Sequence, residues 1–151
     1  MADRAVGRRH GGPNSASRHG PQGHRGPGQA SDGRRALSVS VTIYHKPTCS
    51  TSRAALALLK ERGLSPLVVD YVKVGWDVAT LERLGVATGG GVRGLLRTKE
   101  EGARALLASG ADDAAIVAAM IAEPVLVERP IVETGKGVRI GRPVERVLEV
   151  L

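Results

Sequence analysis

Phenylalanine is absent, and aromatic residues make up only 2% of the 151-residue chain. That scarcity removes the stacking platforms on which single-stranded nucleic acids are held. The single cysteine, Cys49, excludes an internal disulfide framework, a zinc knuckle and an intramolecular dithiol couple. No apolar run reaches the length of a membrane span; the longest, residues 114–122, has the size of a buried helix segment. Acidic residues are also the minority, 15 Asp+Glu against 22 Lys+Arg, for a net charge of +7. The excess is local: residues 1–38 carry seven Arg against two Asp, which is +5, and the remainder carries +2. No specific nucleic-acid partner, membrane, metal or bound cofactor is therefore expected.

What is present divides the chain in two. Residues 1–38 are dominated by Gly, Pro, Arg, His and Ser, which bury too little to offset the entropy of ordering, so a disordered tail is predicted. The tail has neither the apolar core of a secretory signal nor the periodic apolar face of a transit peptide, and a start placed too far upstream would also explain it. Residues 39–151 are long enough for one self-sufficient core.

The patterning there predicts a small α/β domain, a mixed sheet flanked by helices. Val39-Ser-Val41-Thr-Ile43 alternates as a strand. A helix follows from about Ser50 to Arg62 with Ala55, Leu58 and Leu59 on its apolar stripe, stopped by Gly63. Leu67–Val69 with Tyr71 reads as a second strand, and Asp77 as the cap of a helix carrying Leu81 and Leu84. Thr98-Lys-Glu-Glu101 fits a capping box that opens a helix through Leu107. Asp112 or Asp113 starts another helix with Ile116, Val117, Met120 and Ile121 on one face. Val125–Val127 reads as a third strand, and Ile131-Val132 with Val138–Ile140 as a hairpin through Gly135-Lys-Gly137. Pro143 suits the first turn of a closing helix bearing Val144, Val147, Leu148 and Leu151.

Cys49 carries the chemical signal. It follows a strand and a proline and immediately precedes a helix, where unpaired N–H groups and the macrodipole favour a thiolate. Ser50, Thr51 and Ser52 add hydroxyls beside those amides, and Arg53 adds a cation. His45, at the strand end, is placed to stabilise the thiolate as an imidazolium. Together these groups describe a concave site for a small oxyanion. Glu82, Glu100 and Glu101 show no pairing of the carboxylate-catalysis kind and read as helix-surface charges.

The run Tyr44-His-Lys-Pro-Thr-Cys49-Ser-Thr-Ser52-Arg53 resembles the active-site loop of the glutaredoxin-coupled arsenate reductases, a thioredoxin-like family related to the Spx regulators. Three further segments match in order: Val92–Lys99, Pro124–Val132 and Ile140–Pro143. The likeness covers residues 39–151 and none of the tail; Lys46, where the family commonly has Asn, is one departure from it. It implies a thioredoxin-like fold with a helical insertion, and arsenic detoxification in the cytoplasm by reduction of arsenate to arsenite. Cys49 would be the nucleophile, His45, Ser52 and Arg53 its neighbours in the catalytic loop, and Arg97, Arg129 and Arg142 the holders of the oxyanion. The Arg129–Pro130 bond would be cis. Each planar guanidinium can bind two oxygens of a tetrahedral anion, which a lysine cannot. One thiol cannot close a redox cycle, so reducing equivalents must come from outside; the resemblance implies glutathione as co-substrate and glutaredoxin as partner.

Other readings are less consistent with the residues. A low-molecular-weight tyrosine phosphatase needs five residues between Cys and Arg, whereas Cys49 and Arg53 are separated by three. An Spx-type polymerase-binding regulator would lack its redox switch, because Ser52 stands in the second cysteine's place. A general thiol oxidoreductase of the same fold is the remaining alternative.

Overall fold

Val41 and Ile43 point to one side of the first strand and Tyr44 to the other, and all three are buried. A strand covered on both faces belongs at the centre of a sheet, and this one does. In the computed structural model, which describes residues 40–151, β1 (Val41–His45) lies between β2 (Leu67–Asp70) and β3 (Ile131–Thr134), with β4 (Gly137–Ile140) outside β3. The predicted disordered tail, residues 1–38, lies outside the described residues.

β1 and β2 are parallel, whereas β1–β3 and β3–β4 are antiparallel. A parallel pair requires a crossover, and α1 (Ser50–Glu61) supplies it. α1 buries Ala55 and Leu59 against Val41, Ile43, Val132, Val147 and Val150 on one face of the sheet. On the opposite face, α2 (Tyr71–Val74), α3 (Val78–Thr88), α4 (Gly91–Gly94), α5 (Glu101–Ala108) and α6 (Asp113–Ala122) surround a larger cluster that includes Tyr44, Tyr71, Leu84, Leu95 and Met120. The mixed sheet flanked by helices is thus as predicted. Asp77 and Asp112 cap α3 and α6 by accepting from the amides of Thr80 and Ala115, both at 2.8 Å.

Four local expectations fail for identifiable reasons. Tyr71 does not continue β2: Asp70 accepts from the Lys73 amide at 3.4 Å and starts a helical turn that sinks Tyr71 completely. Val125–Val127 is not a strand. Pro124 has no N–H for a ladder, and Pro124–Leu126 forms a 3-10 turn, after which Val127 makes one isolated bridge with Leu96. The capping box does not form, since the cap of α5 is Glu100 with no side-chain bond, while Arg104 Nη1 donates to the carbonyls of Thr98 and Lys99 at 3.0 Å. The closing helix, Val144–Val150, is 3-10 rather than α, with Pro143 as its cap.

α3 and α4 meet at Gly85, where a Cβ would lie 2.7 Å from the backbone atoms Gly91 C and Val92 N. Backbone cannot swing aside as a side chain can. Gly85→Ala is expected to cost about 1–3 kcal/mol, seen as a lower urea midpoint with an unchanged slope.

Candidate active site

Cys49 is the N-cap of α1, in extended backbone at φ −91° and ψ 122°. Its amide donates to the Lys46 carbonyl at 2.9 Å, and its carbonyl accepts from the Arg53 amide at 3.0 Å, so one turn hands the chain from β1 to the helix. The loop is braced twice more. Arg53 Nη1 donates to the Pro47 carbonyl at 2.9 Å, and the Lys46 amide donates to Ser52 Oγ at 3.4 Å. Ser52 is fully buried beneath the thiol, whereas Arg53 is exposed and holds the loop backbone.

The sulfur is half-buried. Burial by itself pushes its pKa up. That effect is outweighed by the Ser52 amide, the Arg129 guanidinium, the Thr51 amide and the Ser52 hydroxyl, which together bring the thiol from 9.0 down to about 7. No full-geometry cap hydrogen bond closes on Sγ, so the amides act mainly by facing the sulfur.

The three arginines come from separate segments: Arg142 and Arg129 adjoin the thiol, and Arg97 is tied to both through the shared carboxylates of Glu128 and Glu100. Arg142 Nη2 lies 3.8 Å from Cys49 Sγ, and its Nε donates to the Arg129 carbonyl at 2.9 Å. Arg129, with a side chain only 7% exposed, is close enough to the sulfur for its guanidinium to favour the thiolate, and it donates from Nη1 to the Val125 carbonyl at 3.1 Å. Arg97 sits 3.3 Å from Glu128 Oε2 through Nη1. Two backbone bonds bring these segments together: Arg97 N to Leu126 O and Glu128 N to Leu95 O, each 2.7 Å. The Arg129–Pro130 bond is cis, as the resemblance implies, and so is Arg142–Pro143.

Three neighbours of the site are missed by reading the sequence. Glu128 Oε2 lies 3.0 Å from Arg142 Nε and so bridges Arg142 to Arg97. Glu100, expected on a helix surface, instead lies 3.6 Å from Arg97 Nε and 3.7 Å from Arg129 Nη2. Tyr71 stacks on Trp76 at 4.9 Å and donates to the Val127 carbonyl at 3.4 Å. Burial pushes the Tyr71 phenol up to about 12, with Arg129 opposing, so it remains a donor. An acidic residue directly before a site arginine was the one available signal for Glu128.

His45 is near the loop but not in the expected state. It is buried, and desolvation lowers its pKa against the opposing pull of Asp70, so the imidazole is neutral rather than an imidazolium. Its Nδ1 has no hydrogen-bond partner among the described residues, and the leading effects that depress the thiol come from Ser52, Arg129 and Thr51. His45→Gln is accordingly expected to leave the midpoint of Cys49 alkylation near 7.

A hollow of about 440 Å³ opens beside the loop, lined by Ser50, Thr51, Ala54, Arg142 and Pro143–Glu145. A larger one, about 540 Å³, runs between α5 and α6 and touches none of the site arginines or Cys49. Among the described residues, no three His, Cys, Asp or Glu side chains are grouped to hold a metal, and no helix is long and apolar enough to cross a membrane.

A mixed four-stranded sheet flanked by helices, whose parallel pair is joined by a crossover helix that begins directly after the cysteine, is a thioredoxin-like arrangement. The chain belongs to the ArsC family, whose family model matches residues 44–150. It is 45% identical over 113 residues to "Arsenate reductase ArsI2" of Synechocystis sp., an alignment covering 74% of this chain and 81% of that protein. It is equally 45% identical over 118 residues to "Uncharacterized protein YfgD" of Escherichia coli, covering 76% of this chain and 99% of that one. Among solved structures, the arsenate reductase from Vibrio cholerae superposes with a TM-score of 0.70 at 44% identity, covering 76% of this chain and 99% of its own.

Proposed function

We propose that this protein is a cytoplasmic arsenate reductase that uses glutathione and glutaredoxin as its external thiols. The observation that carries the reading is the guanidinium of Arg142 at 3.8 Å from a thiol whose pKa is lowered to about 7. A nucleophile and the charges that would receive an oxyanion thus share one spot. Relatives named arsenate reductases at this level of identity support the choice of substrate.

In the proposed reaction, Cys49 thiolate attacks arsenic, an arsenate oxygen leaves as water, and a sulfur–arsenic bond forms. Arg97, Arg129 and Arg142 bind the remaining oxygens and offset the charge as sulfur approaches. Glutathione thiolate then attacks the Cys49 sulfur, forming a Cys49–glutathione disulfide as the sulfur–arsenic bond breaks with its electron pair left on arsenic, and glutaredoxin takes over the glutathionyl group as a mixed disulfide, freeing Cys49. Two electrons pass from thiol sulfur to arsenic, which leaves as arsenite. A single cysteine supports the need for external reductants, because no second thiol in the chain can resolve the first.

The test is arsenate-dependent NADPH oxidation with glutathione, glutathione reductase and glutaredoxin. The reading requires consumption that depends on all three and on arsenate. Disulfide reduction with no response to arsenate would replace it with a general thiol oxidoreductase.

A further inference from the structure

The arginine cradle contains a carboxylate that a simple anion trap would not tolerate. Glu128, 17% exposed, sits between Arg97 and Arg142, with Oε2 at 3.3 Å and 3.0 Å from their nitrogens. With Glu100 beside Arg97 and Arg129, two carboxylates face three guanidiniums before any substrate or thiolate charge is counted. Net charge therefore does not explain what this site selects.

Hydrogen-bonding capacity does. A carboxylate is an acceptor only, and both ion-pair contacts of Glu128 use Oε2, which leaves the lone pairs of Oε1 to accept. On the donor side, Arg129 Nε is buried without a hydrogen-bond partner among the described residues, and Arg97 Nε, likewise unbonded, has only the Glu100 carboxylate at 3.6 Å beside it. The Arg129 side chain is only 7% exposed, so water does not readily replace the missing acceptor. The cradle thus offers buried donors for bare oxygens together with carboxylate acceptors, of which Glu128, 17% exposed, is more enclosed than Glu100, 36% exposed.

Resting on the reading of this site as an oxyanion site, we infer that Glu128 is a specificity-determining residue that selects tetrahedral oxyanions bearing a hydroxyl. Hydrogen arsenate and hydrogen phosphate carry an O–H for Glu128 to accept. Sulfate carries none near neutral pH, and it brings its oxygens against the carboxylate with no proton between them. The contact does not separate arsenate from phosphate, which share charge and shape. That distinction falls to the chemistry at Cys49.

The test is binding without turnover. Protection of Cys49 from iodoacetamide is measured at pH 7.5 with arsenate, phosphate and sulfate, with glutathione and glutaredoxin left out. For the wild type, sulfate is expected to need a concentration at least about tenfold higher than arsenate or phosphate for half protection. In Glu128→Gln, whose amide can donate as well as accept, the ratio should fall toward one, chiefly because sulfate improves. A wild-type ratio near one, a ratio unchanged in Glu128→Gln, or no protection by any of the three anions overturns the inference. Should the variant fail to fold, the wild-type ratio alone decides. Protection in the expected order from a protein that does not reduce arsenate would sink the reductase reading and leave the selectivity standing.

Discussion

Cys49→Ser is expected to abolish arsenate-dependent NADPH oxidation, by about 10³-fold or more in kcat/KM. A serine hydroxyl at this position has no comparable anion population at neutral pH, and oxygen cannot form the sulfur–arsenic bond on which electron transfer depends. The fold should not suffer. Cys49 is the N-cap of α1, a position where serine is among the preferred residues, and the side chain is only half-buried. An unchanged thermal midpoint beside lost turnover would therefore separate chemistry from stability. A variant with full turnover would refute the mechanism.

Arg129→Ala is the second large effect. The guanidinium helps lower the Cys49 pKa, and its side chain is nearly enclosed, so one substitution removes a thiolate-stabilising charge and a cradle donor together. kcat/KM for arsenate should fall about 10²-fold or more, and the alkylation midpoint of Cys49 should move upward from about 7. The sign follows from the linkage. A donor that stabilises the thiolate lowers the pKa, and its loss lets burial dominate. Arg129→Lys separates the two contributions: a retained charge should recover much of the midpoint, whereas the missing planar fork should leave arsenate binding weak. If Arg129→Ala binds arsenate like the wild type, the guanidinium does not hold the substrate.

The thiol's setting was readable because it is local. Strand, proline, cysteine and helix follow one another within a dozen residues, and the N-terminal amides come with the helix itself. The meeting of the arginines was not readable from the pattern alone and entered only through the resemblance. It depends on backbone bonds such as Arg97 N to Leu126 O, made by a segment whose Val-Leu-Val composition suggests a strand but whose preceding proline turns it. Glu128 and Arg97 are 31 positions apart, so no helical or strand spacing links them. His45 shows the complementary gap. Its proximity to Cys49 is in the sequence, but the desolvation that keeps it neutral comes from residues packed around it after folding.

The most direct measurement is the rate of Cys49 alkylation by iodoacetamide across pH 5–10, with and without arsenate. A thiolate poised among guanidiniums predicts a midpoint near 7, with about half the sulfur ionised at neutral pH, and a clear slowing by arsenate. A midpoint near 9 that arsenate leaves untouched would contradict it, since the sulfur would then be an ordinary thiol with no oxyanion beside it.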